Sequence, residues 1–284
     1  MARKTDIIAV TNQKGGVGKS TTAINLAAIL SDPIYSADVD GDILLCDLDP
    51  SGNATAVFSD KDPDEIDRKE TMFYQFIQAV NENLVDMDFM QKQKLEELVL
   101  PTARKRLKII PTGLVLEEVN LELASYRHRV SVLKKIFDRE SDYLSRFRYI
   151  ILDTPPSMSL IFFNSLIAAQ HLLVPLQAKK LALLGLKSLL KTLSKCKKLY
   201  NAEADVLGVF LTFFETNVNT SNAARESMML NCPNIFWDDI AIRKNISLDE
   251  AHGEAQAIID YKPNCQGSKD YIKLANKVLE LTNK

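Results

Sequence analysis

Lys14-Gly15-Gly16-Val17-Gly18-Lys19-Ser20-Thr21-Thr22 decides the fold. An apolar, β-branched run at residues 7–11 precedes this stretch, and an apolar helical pattern at 23–30 follows it. Strand, glycine-rich loop and helix in that order make a phosphate-binding loop. Glycines let the backbone turn tightly and approach phosphate oxygens. The amides at the start of the helix then face an anion. Lys19 supplies a point charge, and the Ser20 hydroxyl is placed to ligate Mg²⁺. A full G-x-x-x-x-G-K-[ST] spacing would start at position 13, where Gln13 stands. The loop is therefore a deviant form, with Lys14 and two glycines at its head.

Further short apolar runs lie at 43–47, 107–111, 149–153, 172–176 and 206–212, with helical spacing between them. Strands apolar on both faces and alternating with helices predict a mainly parallel sheet covered on both sides. The expected fold is thus α/β, a doubly wound P-loop nucleoside triphosphatase domain spanning 1–284. The charged stretch at about 60–106 is read as a peripheral helical excursion of that one domain. The most apolar run, around 159–176, is interrupted by Asn164, Gln170 and His171. It predicts a buried helix followed by a strand, not a membrane span.

Two acidic segments belong to the same site. Leu44-Leu45-Cys46-Asp47-Leu48-Asp49-Pro50-Ser51-Gly52-Asn53-Ala54-Thr55 puts Asp47 and Asp49 at the end of a strand. Open α/β sheets bind ligands at that end. Tyr149-Ile150-Ile151-Leu152-Asp153-Thr154-Pro155-Pro156-Ser157 is a second apolar strand closing on an acid. After a phosphate loop, Asp153 is expected to hold Mg²⁺ through its water shell.

These three motifs resemble the ParA/MinD family of P-loop ATPases, most closely its small partition ATPases. The resemblance runs on through Val174-Pro175-Leu176-Gln177 and through Asn245, Leu248, Glu250 and Ala251. It departs at Ser51, where the family usually has Gln, and at Lys179, Arg243 and Ser247. What it implies is specific. ATP and Mg²⁺ are the cofactors, contacted by Lys14, Gly15, Gly16, Val17, Gly18, Lys19, Ser20 and Thr21. Lys14 reaches across a homodimer to the partner's nucleotide. Asp49 positions or activates the attacking water, Asp47 sits near the metal waters, and Asn53 senses the γ-phosphate. The metal set is Ser20, Asp47, Asp49 and Asp153, and the catalytic set is Lys14, Lys19 and Asp49. The implied function is weak ATP hydrolysis, stimulated by a ParB-like partner, that drives DNA segregation from a cytoplasmic, nucleoid-associated dimer. The alternatives are a MinD-like regulator that cycles on membranes, an ATPase positioning a protein cargo on the nucleoid, and, more distantly, a cobyrinate-type amide synthetase.

The formal net charge is −2, so bulk charge does not imply nucleic acid, and any DNA contact must be local. From 154 to 202 there is no Asp or Glu, while seven lysines fall in the stretch. Lys180, Lys187, Lys191, Lys195 and Lys198 follow at steps of seven, four, four and three, one face of a helix. Leucines at 186, 189, 190 and 193 take the other side. Like charges at helical spacing repel slightly unless an anion faces them. The expected ligand is the backbone of nonspecific double-stranded DNA. The expected contacts are Lys187, Lys191, Lys195 and Lys198, extended by Arg243 and Lys244.

Other signals lead nowhere. Four scattered cysteines and three scattered histidines suggest neither disulfides, a zinc site nor an iron–sulfur cluster. Asp38-Val39-Asp40-Gly41-Asp42 resembles the start of an EF-hand loop, but Ile43 and a strand follow it. The loop motif lies too near the N-terminus to leave room for an appended helix-turn-helix. The helical pattern at 271–281 has Tyr271, Leu274, Val278 and Leu281 on one side, a core face and not a stable membrane anchor.

Overall fold

A computed structural model describes residues 5–81 and 93–283. Eight strands are numbered along the chain: β1 Asp6–Val10, β2 Asp42–Asp47, β3 Leu100–Pro101, β4 Leu107–Ile110, β5 Phe147–Asp153, β6 His171–Gln177, β7 Asp205–Phe214 and β8 Phe236–Arg243. They form one sheet in the order β3-β4-β2-β5-β1-β6-β7-β8. The β3–β4 pair is antiparallel, and all other neighbours are parallel. The doubly wound, mainly parallel sheet expected from the sequence is therefore present.

Alternation along the strands builds two cores, one on each face. Ala9, Leu44, Cys46, Ile150 and Leu152 face one side, with the helices Leu160–Ala168 and Ala182–Tyr200 above them. Ile8, Val10, Ile43, Leu45 and Ile151 face the other, under the helices Lys19–Ser31 and Gln266–Thr282. Helix Lys19–Ser31 is buried almost all round; its run from Leu26 to Leu30 is wholly apolar, and buried Asn25 is satisfied by donating to the Thr21 carbonyl. Tyr271, Leu274 and Val278 are fully buried, so that side of the last helix is core. The run at 159–176 folds as a helix and then β6, as expected.

Residues 82–92 of the expected helical excursion lie outside the described residues. Helix Met72–Asn81 within it sends Met72, Phe73, Phe76 and Ala79 into the core shared with β2 and β5. Leu95 and Leu98 join the same core. The acidic turn before β2 is held by Arg106, whose guanidinium donates to the carbonyls of Val39 and Gly41.

The sequence pattern did not reveal β8. Its run Phe-Trp-Asp-Asp-Ile-Ala-Ile-Arg carries two acids in the middle and lies at the sheet edge. The acids find partners from neighbouring helices: Arg225 pairs with Asp238 at 2.6 Å, and Lys273 approaches Asp239 at 3.8 Å. β8 depends on a missing side chain in β7. A Cβ on Gly208 would sit 2.0 Å from the Trp237 indole. Gly208→Ala should therefore lower stability by about 1–3 kcal/mol, the usual cost of overpacking. A denaturant midpoint equal to wild type would show that β8 can move aside.

Candidate nucleotide-binding site

Parallel register fixes the site. Val10 and Asp47 both lie opposite Asp153, so β1, β2 and β5 end side by side. β1 has β5 on one side and β6 on the other, and the chain reverses its order of strands there. A crevice opens at such a reversal. The loop from β1 crosses its mouth. Asn12 braces the loop: its side-chain amide donates to the Pro175 carbonyl at 2.7 Å, and its Oδ1 accepts the Lys14 N–H at 3.0 Å. Gly16 and Gly18 have φ of 67° and 83°, a region that side chains disfavour. Thr212 Oγ1 donates to the Val17 carbonyl at 2.9 Å, tying the loop to β7. Helix Lys19–Ser31 starts immediately after Gly18, with no side chain capping its first amides. Those amides remain available to an anion.

Beneath the loop lie three carboxylates and one ammonium. Lys19 is buried; desolvation lowers its pKa, opposed by the charges of Asp153 and Asp49. Asp47 is fully buried, and its Oδ2 accepts the Thr55 N–H and O–H, each at 2.8 Å. Burial still pushes its carboxyl up to about 7, against those hydrogen bonds. Asp153 is also raised well above the usual carboxylate range, first by burial and then by the charge of Asp47. Ser20 favours its ionised form but does not reach hydrogen-bonding geometry, and neither Asp153 oxygen has a hydrogen-bond partner. Buried acceptors left without donors are costly and uncommon. Asp49 is almost buried, and Ser51 donates to its Oδ1 through both N–H and O–H.

This donor set fits a magnesium ion held largely by phosphates and water. Among the described residues no group of three or more His, Cys, Asp or Glu is disposed to hold a metal alone. Asp47 is spent on Thr55 and on the Asp49 N–H. The two orphaned oxygens of Asp153, beside the Ser20 hydroxyl, are what a hydrated cation would satisfy.

The remaining expected residues sit apart. Lys14 is exposed, and its ammonium donates to Gln177 Oε1 at 3.5 Å. Lys187, Lys191, Lys195 and Lys198 are exposed on helix Ala182–Tyr200, whose inner side carries Leu186, Leu189 and Leu193. Lys180 precedes that helix, and Lys197 pairs with Asp205 at 2.5 Å. Arg243 is held by Asp270, which also accepts the Arg243 backbone N–H at 3.0 Å. Lys244 faces Glu215 at 3.7 Å.

Several site residues were not assigned from sequence. Thr55, which clamps Asp47, stands in the quoted acidic segment but carries no role there. Asp270 is 27 positions from Arg243 and has no local signal. Phe213 lies beside Gly18 in a cleft also lined by Thr21, Asn245 and Tyr271. Its φ of 50° is rare for an aromatic residue, and only the structure reveals it.

Comparison with known proteins agrees with this geometry. A family model described as an AAA domain matches residues 5–206. The sporulation initiation inhibitor protein Soj of Bacillus subtilis is 32% identical over 96% of this chain and 97% of its own length. The chromosome-partitioning ATPase Soj of Thermus thermophilus is also 32% identical, over 96% of this chain and 94% of its own. McdA of Cyanothece, solved as an ATP complex, superposes with a TM-score of 0.78 at 21% identity, covering 98% of this chain and 97% of that one. Such identity across nearly the whole of both chains, joined to a family match over most of this one, makes the chain a member of the ParA/Soj family of P-loop ATPases.

Proposed function

We propose that this chain is a DNA-partition ATPase that binds ATP with Mg²⁺, dimerises around it and holds nonspecific double-stranded DNA. A ParB-like partner then stimulates hydrolysis and releases the dimer from the nucleoid. The observation that carries this reading is the convergence of Lys19, Asp49 and Asp153 under a loop whose amides are unspent. Bound Mg²⁺ would offset negative charge on the β- and γ-phosphates. Lys19 would hold those same phosphates from the loop side. Ser20 and Asp153 would retain the hydrated ion. Asp49 would face the attacking water. The cleft beside Phe213 would take the base, with the aromatic ring as one wall.

The DNA contact is assigned to one helix. Lys187, Lys191, Lys195 and Lys198 are exposed, and among the described residues no ion pair engages any of them. Arg243 and Lys244 already face acids, so they contribute less. The test of the whole reading is DNA affinity measured with ATP, with ADP and without nucleotide. Binding that ignores the nucleotide state would reject it.

Lys19→Ala should lose ATP affinity by about tenfold or more, since hydrogen bonds to charged groups contribute roughly 1.5–3 kcal/mol. Calorimetric titration with ATP checks this, and unchanged affinity sinks the assignment. Lys14→Gln should keep ATP binding by the monomer yet weaken ATP-dependent dimerisation. Light scattering with and without ATP reads the difference; a variant that dimerises like wild type removes the role in trans. Lys187→Glu with Lys191→Glu should abolish DNA binding in the ATP state while sparing ATP affinity. Each lysine lost lowers the salt slope of binding by about 0.9. Wild-type affinity and slope in the double variant would leave the stripe as a solvated face.

A further inference from the structure

The turn after β2 holds a hydrogen-bond chain that the phosphate loop does not account for. Asn53 donates from its side-chain amide to Ser51 Oγ at 2.8 Å. Ser51 in turn donates its O–H to Asp49 Oδ1 at 3.0 Å. The Ser51 N–H reaches the same oxygen at 3.1 Å. Both donors therefore converge on Oδ1, and no hydrogen bond to Asp49 Oδ2 is made among the described residues. The turn itself does not need the hydroxyl. A backbone N–H two residues on is enough to close an Asp turn. Behind it, Thr55 fixes the following helix to Asp47, so the turn is anchored independently of Ser51.

We propose that Ser51 is a positioning residue for ATP hydrolysis. Its hydroxyl, supported by Asn53, ties down Oδ1 of Asp49 and leaves Oδ2 as the oxygen that receives the proton. This rests on Asp49 being the group that activates water. In the step, the water oxygen bonds to the γ-phosphorus while one water proton passes to Asp49 Oδ2. The bond between the γ-phosphorus and the β,γ-bridging oxygen breaks, and ADP leaves with that electron pair. Asp49 afterwards returns its proton to solvent. A carboxylate that rotates freely offers either oxygen in many orientations. Fixing one oxygen selects the geometry of the other, and positioning of this kind acts on the rate more than on binding. The link to Asn53 adds a second consequence. An Asn53 amide that swings towards a γ-phosphate would leave Ser51 held by Asp49 alone, so the two motions are coupled.

The experiment measures ATP hydrolysis with Mg²⁺ and duplex DNA in Ser51→Ala, Ser51→Thr, Asp49→Ala and the Ser51→Ala/Asp49→Ala pair. Ser51→Ala keeps the backbone N–H to Oδ1 and removes only the hydroxyl. Its kcat should fall about fivefold, the scale of one ordinary net hydrogen bond, because the backbone N–H still holds Oδ1, while KM for ATP stays within about twofold. Ser51→Thr retains the hydroxyl and should recover most of the rate. The double variant should be no slower than Asp49→Ala alone, because both act through one carboxylate. The proposal is overturned if Ser51→Ala keeps wild-type kcat, if Ser51→Thr is as slow as Ser51→Ala, if KM rises in step with the loss, or if the double variant drops by a further fivefold. Asp49→Ala with wild-type turnover would overturn the assignment of Asp49 itself. That outcome appears in the single variant and so is distinct from failure at Ser51.

Discussion

Burial of like charges at the end of a parallel sheet is the constraint on which this structure turns. Asp47 and Asp153 are register partners on β2 and β5, and both are fully buried. Desolvation raises both carboxyls, Asp47 to about 7, and neighbouring carboxylates add to the rise, Asp49 at Asp47 and Asp47 at Asp153. An unfolded Asp ionises near 3.9. The folded state therefore holds the proton more tightly, and the contribution of Asp47 to stability declines as pH rises through the window from about 4 to about 7. The cost is on the order of a few kcal/mol. The fold carries it because Thr55 supplies two donors to Asp47 and because the surrounding strands are locked by two apolar cores. Asp153 has no such donors. Its two oxygens are satisfied only when something cationic or hydrogen-bonding enters, so the apo site is built to favour a hydrated cation and its anion together.

Much of this was legible in the sequence, for a physical reason. A parallel strand is buried on both faces, so the six inner and near-inner strands read as continuous apolar runs bounded by polar residues. Their ends carry Asp47 and Asp153, and the loop carries Lys19, because chemistry at such a sheet gathers at the strand ends. The edges were less readable. β3 is only two residues long, and β8 has Asp238 and Asp239 in its middle. These acids look like a loop until Arg225 and Lys273 are brought beside them by helices distant in sequence. The same holds for Arg243. Its charge suggested a DNA contact, and nothing within its own segment announced that Asp270 would engage it.

That contrast sharpens the view of the basic surface. A lysine count alone does not distinguish free cations from structural ones. Lys197 and Lys244 have acidic neighbours, as does Arg243. Lys187, Lys191, Lys195 and Lys198 stand on one exposed helical side with no ion pair among the described residues. Their mutual repulsion is small per pair, a few tenths of a kcal/mol, and the leucines beneath them hold the helix regardless. A polyanion laid along that side would relieve the repulsion and release its own counterions. With a net charge of −2 the chain as a whole offers a polyanion little bulk attraction, so any such contact would have to be local.

Phe213 marks where the two halves of the site meet. A φ of 50° for an aromatic residue costs about 1–2 kcal/mol. Its neighbour Thr212 explains why the strain persists. Thr212 anchors the Val17 carbonyl through Oγ1, and its backbone carbonyl accepts the Ala178 N–H after β6 at 3.0 Å. With Thr212 fixed to the phosphate loop on one side and to the β6 end on the other, the next residue has little freedom in how it leaves the strand. The ring comes to rest beside Gly18, close enough that a Cβ there would touch it at 3.9 Å, an ordinary packing distance. What requires glycine at this position is its φ of 83°, which shapes the phosphate loop, and not the space beside the ring. The two hydrogen bonds of Thr212 therefore set where the chain leaves β7, and the Phe213 ring follows from them as a wall of the cleft beside the phosphate loop.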